Sequence, residues 1–192
     1  MVLLAGGAST RMRMQKQLLV IAGKTMLRHV IDATLPASVS PYVVVLGSEA
    51  RAIRPGMGDA AVQIVVNDDW KEGIASSIRC GLKAAMGLDP GIAGVIIALA
   101  DQPGLDARKI EDLVQARKTT GRGIVSASFE GMLLPPVYFS AAYFPELLAL
   151  KGDEGAKSIL KAHPADVQPV PMENLWDIDT SDDYTAFMES RS

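Results

Sequence analysis

Hydrophobic and polar positions alternate along this 192-residue chain in two different patterns. Short apolar runs rich in β-branched residues, typical of buried parallel strands, cover residues 42–46, 63–66, 95–99 and 124–127. Between them, apolar residues recur at helical spacing over 26–35, 74–86 and 110–117. This alternation of strand and helix predicts an α/β fold in which helices cover both faces of the sheet.

After Gly131 the pattern breaks and a less regular section follows. Pro135 and Pro136 exclude a helix there, and a helical pattern returns only over residues 156–163. A final helix is expected from Thr180, where Thr-Ser-Asp-Asp resembles a capping box. No repeat or linker divides the sequence, so we expect one domain over residues 1–192. The large apolar residues before the first glycines are Val2, Leu3 and Leu4, a short run for a strand of the usual roughly five or six residues, so we expect further residues upstream.

Composition excludes several classes of protein. A hydrophobic content of 48% with 21% charged residues is typical of a soluble globular protein, and the net charge of −3 argues against a general nucleic-acid binder. The sequence shows no membrane span and no secretory signal, so a cytoplasmic location is expected. The single cysteine, Cys80, excludes an internal disulfide, and with His29 and His163 it forms no zinc-like spacing.

The richest chemistry lies near the N-terminus. Gly6 and Gly7 allow close approach of backbone amides to an anion, and Arg11 and Lys16 add positive charge nearby. We interpret this segment as a cradle for nucleotide phosphates; the alternative is a tight turn with two solvated cations. Lys16 lacks the flanking residues of a Walker-type loop, and the glycine spacing does not fit a dinucleotide fingerprint.

Three aspartates are candidates for the same site. Asp101 directly follows the strand pattern at 95–99, so its carboxylate should emerge at the sheet edge where the glycines lie. Asp177 and Asp179 stand just before the final helix. Each alone is equally explained as a turn or capping residue. Together with a phosphate cradle they suggest a magnesium ion, which prefers carboxylate, phosphate and water oxygens.

Six short motifs are distributed along the chain. Three of them are Leu-Ala-Gly-Gly-x-Ser-x-Arg-Met with the later Lys16, Leu-Ala-Asp-Gln-Pro at 99–103 and Asp-Ile-Asp-Thr at 177–180. The others are Glu-Gly-Ile-Ala-Ser-Ser-Ile-Arg-Cys-Gly-Leu at 72–82, Pro-Pro-Val-Tyr-Phe at 135–139 and Gly-Asp-Glu-Gly-Ala-Lys at 152–157. Each motif is weak alone, but their order along the whole chain is specific, and together they resemble the nucleotidyltransferases that load CTP or GTP onto molybdopterin.

The resemblance implies a single-domain, Rossmann-like, three-layer α/β/α fold with a mostly parallel sheet, of the nucleotide-diphospho-sugar transferase type. It also implies magnesium-dependent attack of an acceptor phosphate on the nucleotide α-phosphorus, with loss of pyrophosphate. The implied catalytic residues are Arg11, Lys16 and Asp101. The implied nucleotide-binding residues are Leu4, Ala5, Gly6, Gly7, Ala8, Ser9, Lys16, Ser76, Ser77, Arg79 and Asp101. Asp101 with Asp179 or Asp177 would bind the metal, and Asp153, Glu154 and Lys157 would face the acceptor.

The donor nucleotide and the acceptor are less constrained. Gly6-Gly7 resembles the GTP-using group, whereas Asp101-Gln102-Pro103 and the Ala-Ser-Ser-Ile-Arg segment resemble the CTP-using group, which we favour. The resemblance implies a molybdopterin-type acceptor and a client molybdoenzyme as partners. Alternatives are a transferase acting on a sugar phosphate, and a non-catalytic nucleotide-binding chaperone in which Arg13 replaces the family's usual glycine.

Overall fold

A twisted sheet forms the centre of the computed structural model, which describes residues 1–7 and 15–190. The described strands are β1 (Val2–Ala5), β2 (Val20–Ile21), β3 (Lys24–Thr25), β4 (Val43–Leu46), β5 (Gln63–Val66), β6 (Gly94–Leu99), β7 (Ile124–Phe129), β8 (Met132–Ser140) and β9 (Val167–Pro171). Seven of them form the main sheet in the order β5-β4-β1-β6-β8-β7-β9, and β2 and β3 form a small separate pair. Only β8 runs antiparallel to its neighbours in the main sheet.

Helices cover both faces of this sheet. The described α-helices are α1 (Met26–Thr34), α2 (Ala50–Ile53), α3 (Ile74–Leu88), α4 (Ala107–Thr120), α5 (Phe144–Ala149), α6 (Lys157–Ala162) and α7 (Ser181–Glu189). Side chains of β1 alternate between the faces: Leu3 packs in the core under α1 and α4, and Leu4 packs in the core under α3, α5 and α6. The predicted three-layer, mostly parallel α/β fold is therefore confirmed.

Local sequence signals set the helix ends. Thr25 caps α1, and Asp106 caps α4 by accepting a 2.9 Å hydrogen bond from the Lys109 amide. Thr180 and Asp183 form the predicted capping box at the start of α7. No helix in the described part of the chain is long and apolar enough to cross a membrane.

The irregular segment expected after Gly131 is instead the nine-residue strand β8. The strand accommodates Pro135 and Pro136, which lack amide donors, because the β7–β8 register shifts between Ser126 and Ala127 and passes over both prolines. The expectation was wrong because proline excludes a helix but is tolerated in a strand at a bulge.

Candidate functional site

The carboxyl ends of β1 and β6 meet at a cleft of about 390 Å³. The two strands are joined there by a 3.0 Å hydrogen bond from the Ala100 amide to the Leu4 carbonyl. Predicted site residues that line the cleft are Leu4, Ala5, Gly6, Gly7, Lys16, Ser77, Asp101 and Asp153. The other lining residues are Gln17, Met26, Trp70, Lys71, Gly73, Ile74, Leu99 and Ala100. The cleft therefore lies where open α/β sheets bind ligands.

Lys16 is the charged centre of this cleft. Its Nζ lies 3.0 Å from Oδ2 of Asp101 and 2.5 Å from Oδ1 of Asp179. The Lys16 side chain is 15% exposed, compared with 27% for Asp101 and 43% for Asp179. Burial lowers the pKa of Lys16, but attraction to Asp101 and hydrogen bonds to both carboxylates outweigh it, so the pKa is raised. The ammonium therefore remains charged.

Asp101 keeps one oxygen unused within this arrangement. Its Oδ1 is buried and accepts no hydrogen bond within the described part of the chain. A buried carboxylate oxygen without a donor is costly, and such an atom is a natural ligand for a hard cation. Among the described residues, however, no group of three or more His, Cys, Asp or Glu side chains could hold a metal ion by itself. A divalent cation here would take further oxygens from the substrate and water.

Asp177 lies close enough to Asp101 and Asp179 to interact with their negative charges. Its Oδ1 accepts a 2.9 Å hydrogen bond from Nε2 of Gln102, which is fully buried and also donates to the Pro135 carbonyl. Burial raises the pKa of Asp177, and the negative charges of Asp101 and Asp179 raise it further. The Gln102 hydrogen bond and the charge of Lys16 oppose this rise. Gln102 thus connects Asp177 to strand β8.

The glycine segment after β1 is held through its carbonyl groups. Nε2 of Gln17 donates to the carbonyls of Ala5 at 2.9 Å and Gly7 at 3.2 Å. The Gly6 carbonyl accepts from the Ser48 amide at 3.3 Å. In contrast, the amides of Gly6 and Gly7 donate no hydrogen bond to any residue that the structure describes. Two amides at the cleft are therefore available to an anion.

Close packing surrounds this segment. A Cβ at Gly47 would lie 2.6 Å from the Gly6 carbonyl oxygen and 2.8 Å from Cβ of Trp70. A Cβ at Gly6 would lie 3.1 Å from Oγ of Ser77. The glycine segment is thus packed tightly against Gly47, which follows β4, and against Ser77 of α3. Positions 6 and 47 therefore require small residues.

The start of α3 forms the opposite wall of the cleft. Ser77 lines the cleft, and Asn67 donates to Oγ of Ser77 at 3.0 Å and to Oγ of Ser76 at 2.8 Å. Gly73 has φ +117°, and a Cβ there would lie 2.5 Å from Oδ1 of Asp153. Both the left-handed conformation and the contact therefore require glycine.

Arg79 lies on α3 but is not among the lining residues. Its Nη2 donates to Glu72 at 2.6 Å, and its Nη1 donates to the Leu150 carbonyl at 2.6 Å. The Gly152 carbonyl accepts from the Ala75 amide at 3.1 Å. These bonds fasten the segment that carries Asp153 to the first turns of α3.

Two of the predicted acceptor-side residues lie elsewhere, since Glu154 and Lys157 are outside the cleft lining. His29, which contacts the Pro103 carbonyl from α1, and Cys80, which is half-buried on α3 with its pKa raised by burial, are outside it as well. The candidates Ala8, Ser9 and Arg11, together with Arg13, fall outside the described residues.

Sequence reasoning missed Gln17, Gly47 and Trp70. Gln17 stands next to Lys16, which the first matched motif includes. Trp70 stands two residues before Glu72, where the matched motif at 72–82 begins. Gly47 follows the strand pattern at 42–46, which by itself marks the same sheet edge.

Comparisons with known proteins show which proteins this chain resembles. A family model described as MobA-like NTP transferase domain matches residues 1–167. Purine catabolism protein PucB of Bacillus subtilis (strain 168) is 30% identical, covering 95% of this chain and 92% of its own length. Nicotine blue oxidoreductase of Paenarthrobacter nicotinovorans is 32% identical over 85% and 81% of the two chains. Rv0371c from Mycobacterium tuberculosis H37Rv superposes with TM-score 0.86 at 28% identity, covering 98% of this chain and 96% of its own; its complex with manganese superposes with TM-score 0.82.

Proposed function

Because this chain belongs to the MobA-like NTP transferase family, we propose that this nucleotidyltransferase moves CMP from CTP onto the phosphate of a molybdopterin-type acceptor. Pyrophosphate leaves, and Mg²⁺ is the cofactor. The proposal is supported above all by one observation: the Lys16 ammonium lies between Asp101 and Asp179, beside the two available glycine amides.

The arrangement suits an in-line displacement at phosphorus. An acceptor phosphate oxygen forms a bond to the α-phosphorus of CTP, and the bond from that phosphorus to the pyrophosphate oxygen breaks. A phosphomonoester has its second pKa near ~6, so at neutral pH the nucleophile is already ionised and requires no base. The protein must align the two groups and neutralise the charge that develops on the leaving pyrophosphate. We assign this role to Lys16 and to the amides of Gly6 and Gly7.

The residues present fit a divalent cation. The buried Oδ1 of Asp101, which accepts no hydrogen bond from the described residues, would supply one ligand, and Asp179, which meets Asp101 at Lys16, would supply a second. When bound, Mg²⁺ would neutralise phosphate charge and polarise the phosphorus centre. A divalent metal is also supported by the manganese complex of the mycobacterial relative. If Asp177 serves instead of Asp179, Asp177→Asn will be inactive and Asp179→Asn active.

CTP is the proposed donor because two segments, Asp101-Gln102-Pro103 and the Ala-Ser-Ser-Ile-Arg run, resemble the CTP-using group. GTP is the second candidate because Gly6-Gly7 resembles the GTP-using group. The two signals meet at one contact, since a Cβ at Gly6 would press on Ser77 at 3.1 Å. The residue at position 6 therefore affects the shape of the cleft through Ser77. The wrong base is disfavoured where it does not fit the available space or leaves polar groups without hydrogen-bond partners.

The test compares donors and acceptors directly. Purified protein with saturating Mg²⁺ is given CTP or GTP together with molybdopterin, its molybdenum-loaded form or a sugar phosphate. We expect a higher kcat/KM for CTP than for GTP, and a product whose mass equals molybdopterin plus CMP. A GTP preference would refute the donor, a sugar-phosphate product would refute the acceptor, and absence of pyrophosphate release with every acceptor would favour a non-catalytic binder.

The same assay tests the metal ligand. Asp101→Asn should abolish Mg²⁺-dependent pyrophosphate release, whereas the free energy of unfolding should fall by no more than about 1 kcal/mol, as for a partly exposed ion pair. Asp112→Asn, the same change at an exposed position of α4, is the matched control and should remain active. An Asp101→Asn protein with normal metal-dependent turnover would remove Asp101 from the metal site.

A further inference from the structure

The geometry points to Gln17 as a positioning residue that holds the glycine segment open for the triphosphate of the donor. This inference rests on the proposed function and concerns the same cleft. Gln17 is 5% exposed and lies in the short turn Lys16–Leu18, directly after the lysine of the site. One turn of chain therefore supplies both the cation and the amide group that fixes the phosphate-binding backbone.

The hydrogen bonds of Gln17 determine which way the peptide groups face. In a trans peptide the carbonyl and the following amide point in opposite directions. Since the Ala5 carbonyl accepts from Gln17, the Gly6 amide faces away from the Gln17 side chain. Since the Gly6 carbonyl accepts from the Ser48 amide, the Gly7 amide faces away from Ser48. The protein thus binds the carbonyls and leaves both amides for a ligand.

The hydrogen bond to Gly7 restrains the far end of this segment. It joins Nε2 of Gln17 to the Gly7 carbonyl, 10 positions earlier in the chain. Glycine is the most freely rotating residue, so two adjacent glycines would otherwise sample many orientations. Anchoring the carbonyls on both sides of them reduces the entropy that phosphate binding would have to overcome.

The amide of Gln17 has only one workable orientation. Its Oε1 is buried and accepts no hydrogen bond from any described residue, which is an unfavourable position for an acceptor. Exchanging the oxygen and nitrogen would place that oxygen against two carbonyl oxygens. The side chain therefore serves as a double donor, and a residue of similar shape without donors cannot replace it.

The test is the binding of tripolyphosphate, with Mg²⁺, to wild-type protein and to Gln17→Leu. Tripolyphosphate reports on the phosphate cradle alone, independently of the nucleobase and the acceptor. Loss of two hydrogen bonds should weaken its binding by about tenfold to a hundredfold. The KM for CTP should rise by a similar factor, whereas the KM for the acceptor should not change. Gln115→Leu, the same substitution at an exposed position of α4, should bind tripolyphosphate like the wild type.

A purely structural role predicts a different result. Gln17→Leu would then have a lower melting temperature but wild-type tripolyphosphate affinity when measured well below that temperature, and this would overturn the inference. If Gln17→Leu does not fold, Gln17→Asn, whose shorter side chain cannot reach both carbonyls, replaces it under the same criterion.

The inference and the proposed function can fail separately. A wild-type protein that binds tripolyphosphate, loses it in Gln17→Leu and transfers no CMP would refute the proposed reaction and support the role of Gln17. A wild-type protein that transfers CMP but binds tripolyphosphate no better than Gln17→Leu would overturn the inference and leave the proposed function standing.

Discussion

Replacing Lys16 by methionine should lower turnover by on the order of a hundredfold to a thousandfold. Methionine keeps most of the apolar stem of lysine and removes only the ammonium group. Loss of one preorganised charge donor to a developing negative charge has this effect in other enzymes. Substrate binding should change less than turnover, because the charge on the departing pyrophosphate is largest in the transition state.

The structure also sets the stability change. Lys16 bonds two carboxylates, Asp101 at 3.0 Å and Asp179 at 2.5 Å, with side-chain exposures of 27% and 43%. Exposed ion pairs contribute less than about 1 kcal/mol, and removing one partner of a buried pair costs about 3–5 kcal/mol. This site lies between those limits, so Lys16→Met should lose about 1–3 kcal/mol of unfolding free energy. For a chain of this length that is a fall in Tm of roughly 2–12 °C.

One assay separates the charge of Lys16 from its packing. Without the ammonium, Asp101 and Asp179 lose the positive charge that they share in the wild type, so Mg²⁺ or Mn²⁺ should raise the Tm of nucleotide-free Lys16→Met more than that of the wild type. Differential scanning fluorimetry across a metal titration, together with single-turnover pyrophosphate release, measures both effects. Lys161→Met, the same change on the exposed surface of α6, is the matched control.

Two results would refute this reasoning. Near-normal pyrophosphate release by folded Lys16→Met would remove the ammonium from the mechanism. An equal metal-induced Tm shift in variant and wild type would show that Lys16 and the metal do not share Asp101 and Asp179.

Further predictions concern packing and acid stability. Gly47→Ala should lower the free energy of unfolding by about 1–3 kcal/mol and raise the nucleotide KM, because its Cβ would lie 2.6 Å from the Gly6 carbonyl oxygen. The control, Gly87→Ala, places its Cβ where no atom lies within 4 Å, so it should be neutral or stabilising. Equal chemical denaturation midpoints for the two variants would contradict this prediction. The hydroxyl of Tyr143 holds the pKa of Asp166 below its usual range, so this contribution to stability is present above about pH 4 and is lost as pH falls further. Tyr143→Phe should therefore be less stable at pH 7 and show a shallower acid limb in urea titrations; an unchanged limb would contradict the assignment.

Much of the architecture follows from local patterns in the sequence. The β-branched runs at 63–66 and 95–99 and the helical spacing at 74–86 predict elements that the structure contains nearly residue for residue. The capping box at Thr180 is likewise a local signal, since its hydrogen bonds span only three residues. Even the placement of Asp101 beside Gly6 could be predicted, because parallel strands end at the same sheet edge.

Contacts between distant segments required the tertiary structure. Lys16 meets Asp179 across 163 positions of sequence, and Gln102 meets Asp177 across 75. Residue patterns placed both aspartates before the last helix but could not say which one reaches Lys16, because that depends on how α7 and its preceding segment cross the sheet. The assignment of these residues to nucleotide, metal and acceptor stays a prediction.

The sequence by itself determined the alternation of strands and helices, the sheet edge that carries the site and, through its motifs, the family. Only the tertiary structure decided that β8 runs antiparallel through Pro135 and Pro136, that Arg79 fastens the Asp153 segment, and that Gln17 binds the glycine carbonyls. The physical reason is range. Periodicity and capping act over a few residues, whereas strand order, bulges and side-chain hydrogen bonds to remote carbonyls depend on which segments the whole fold brings together.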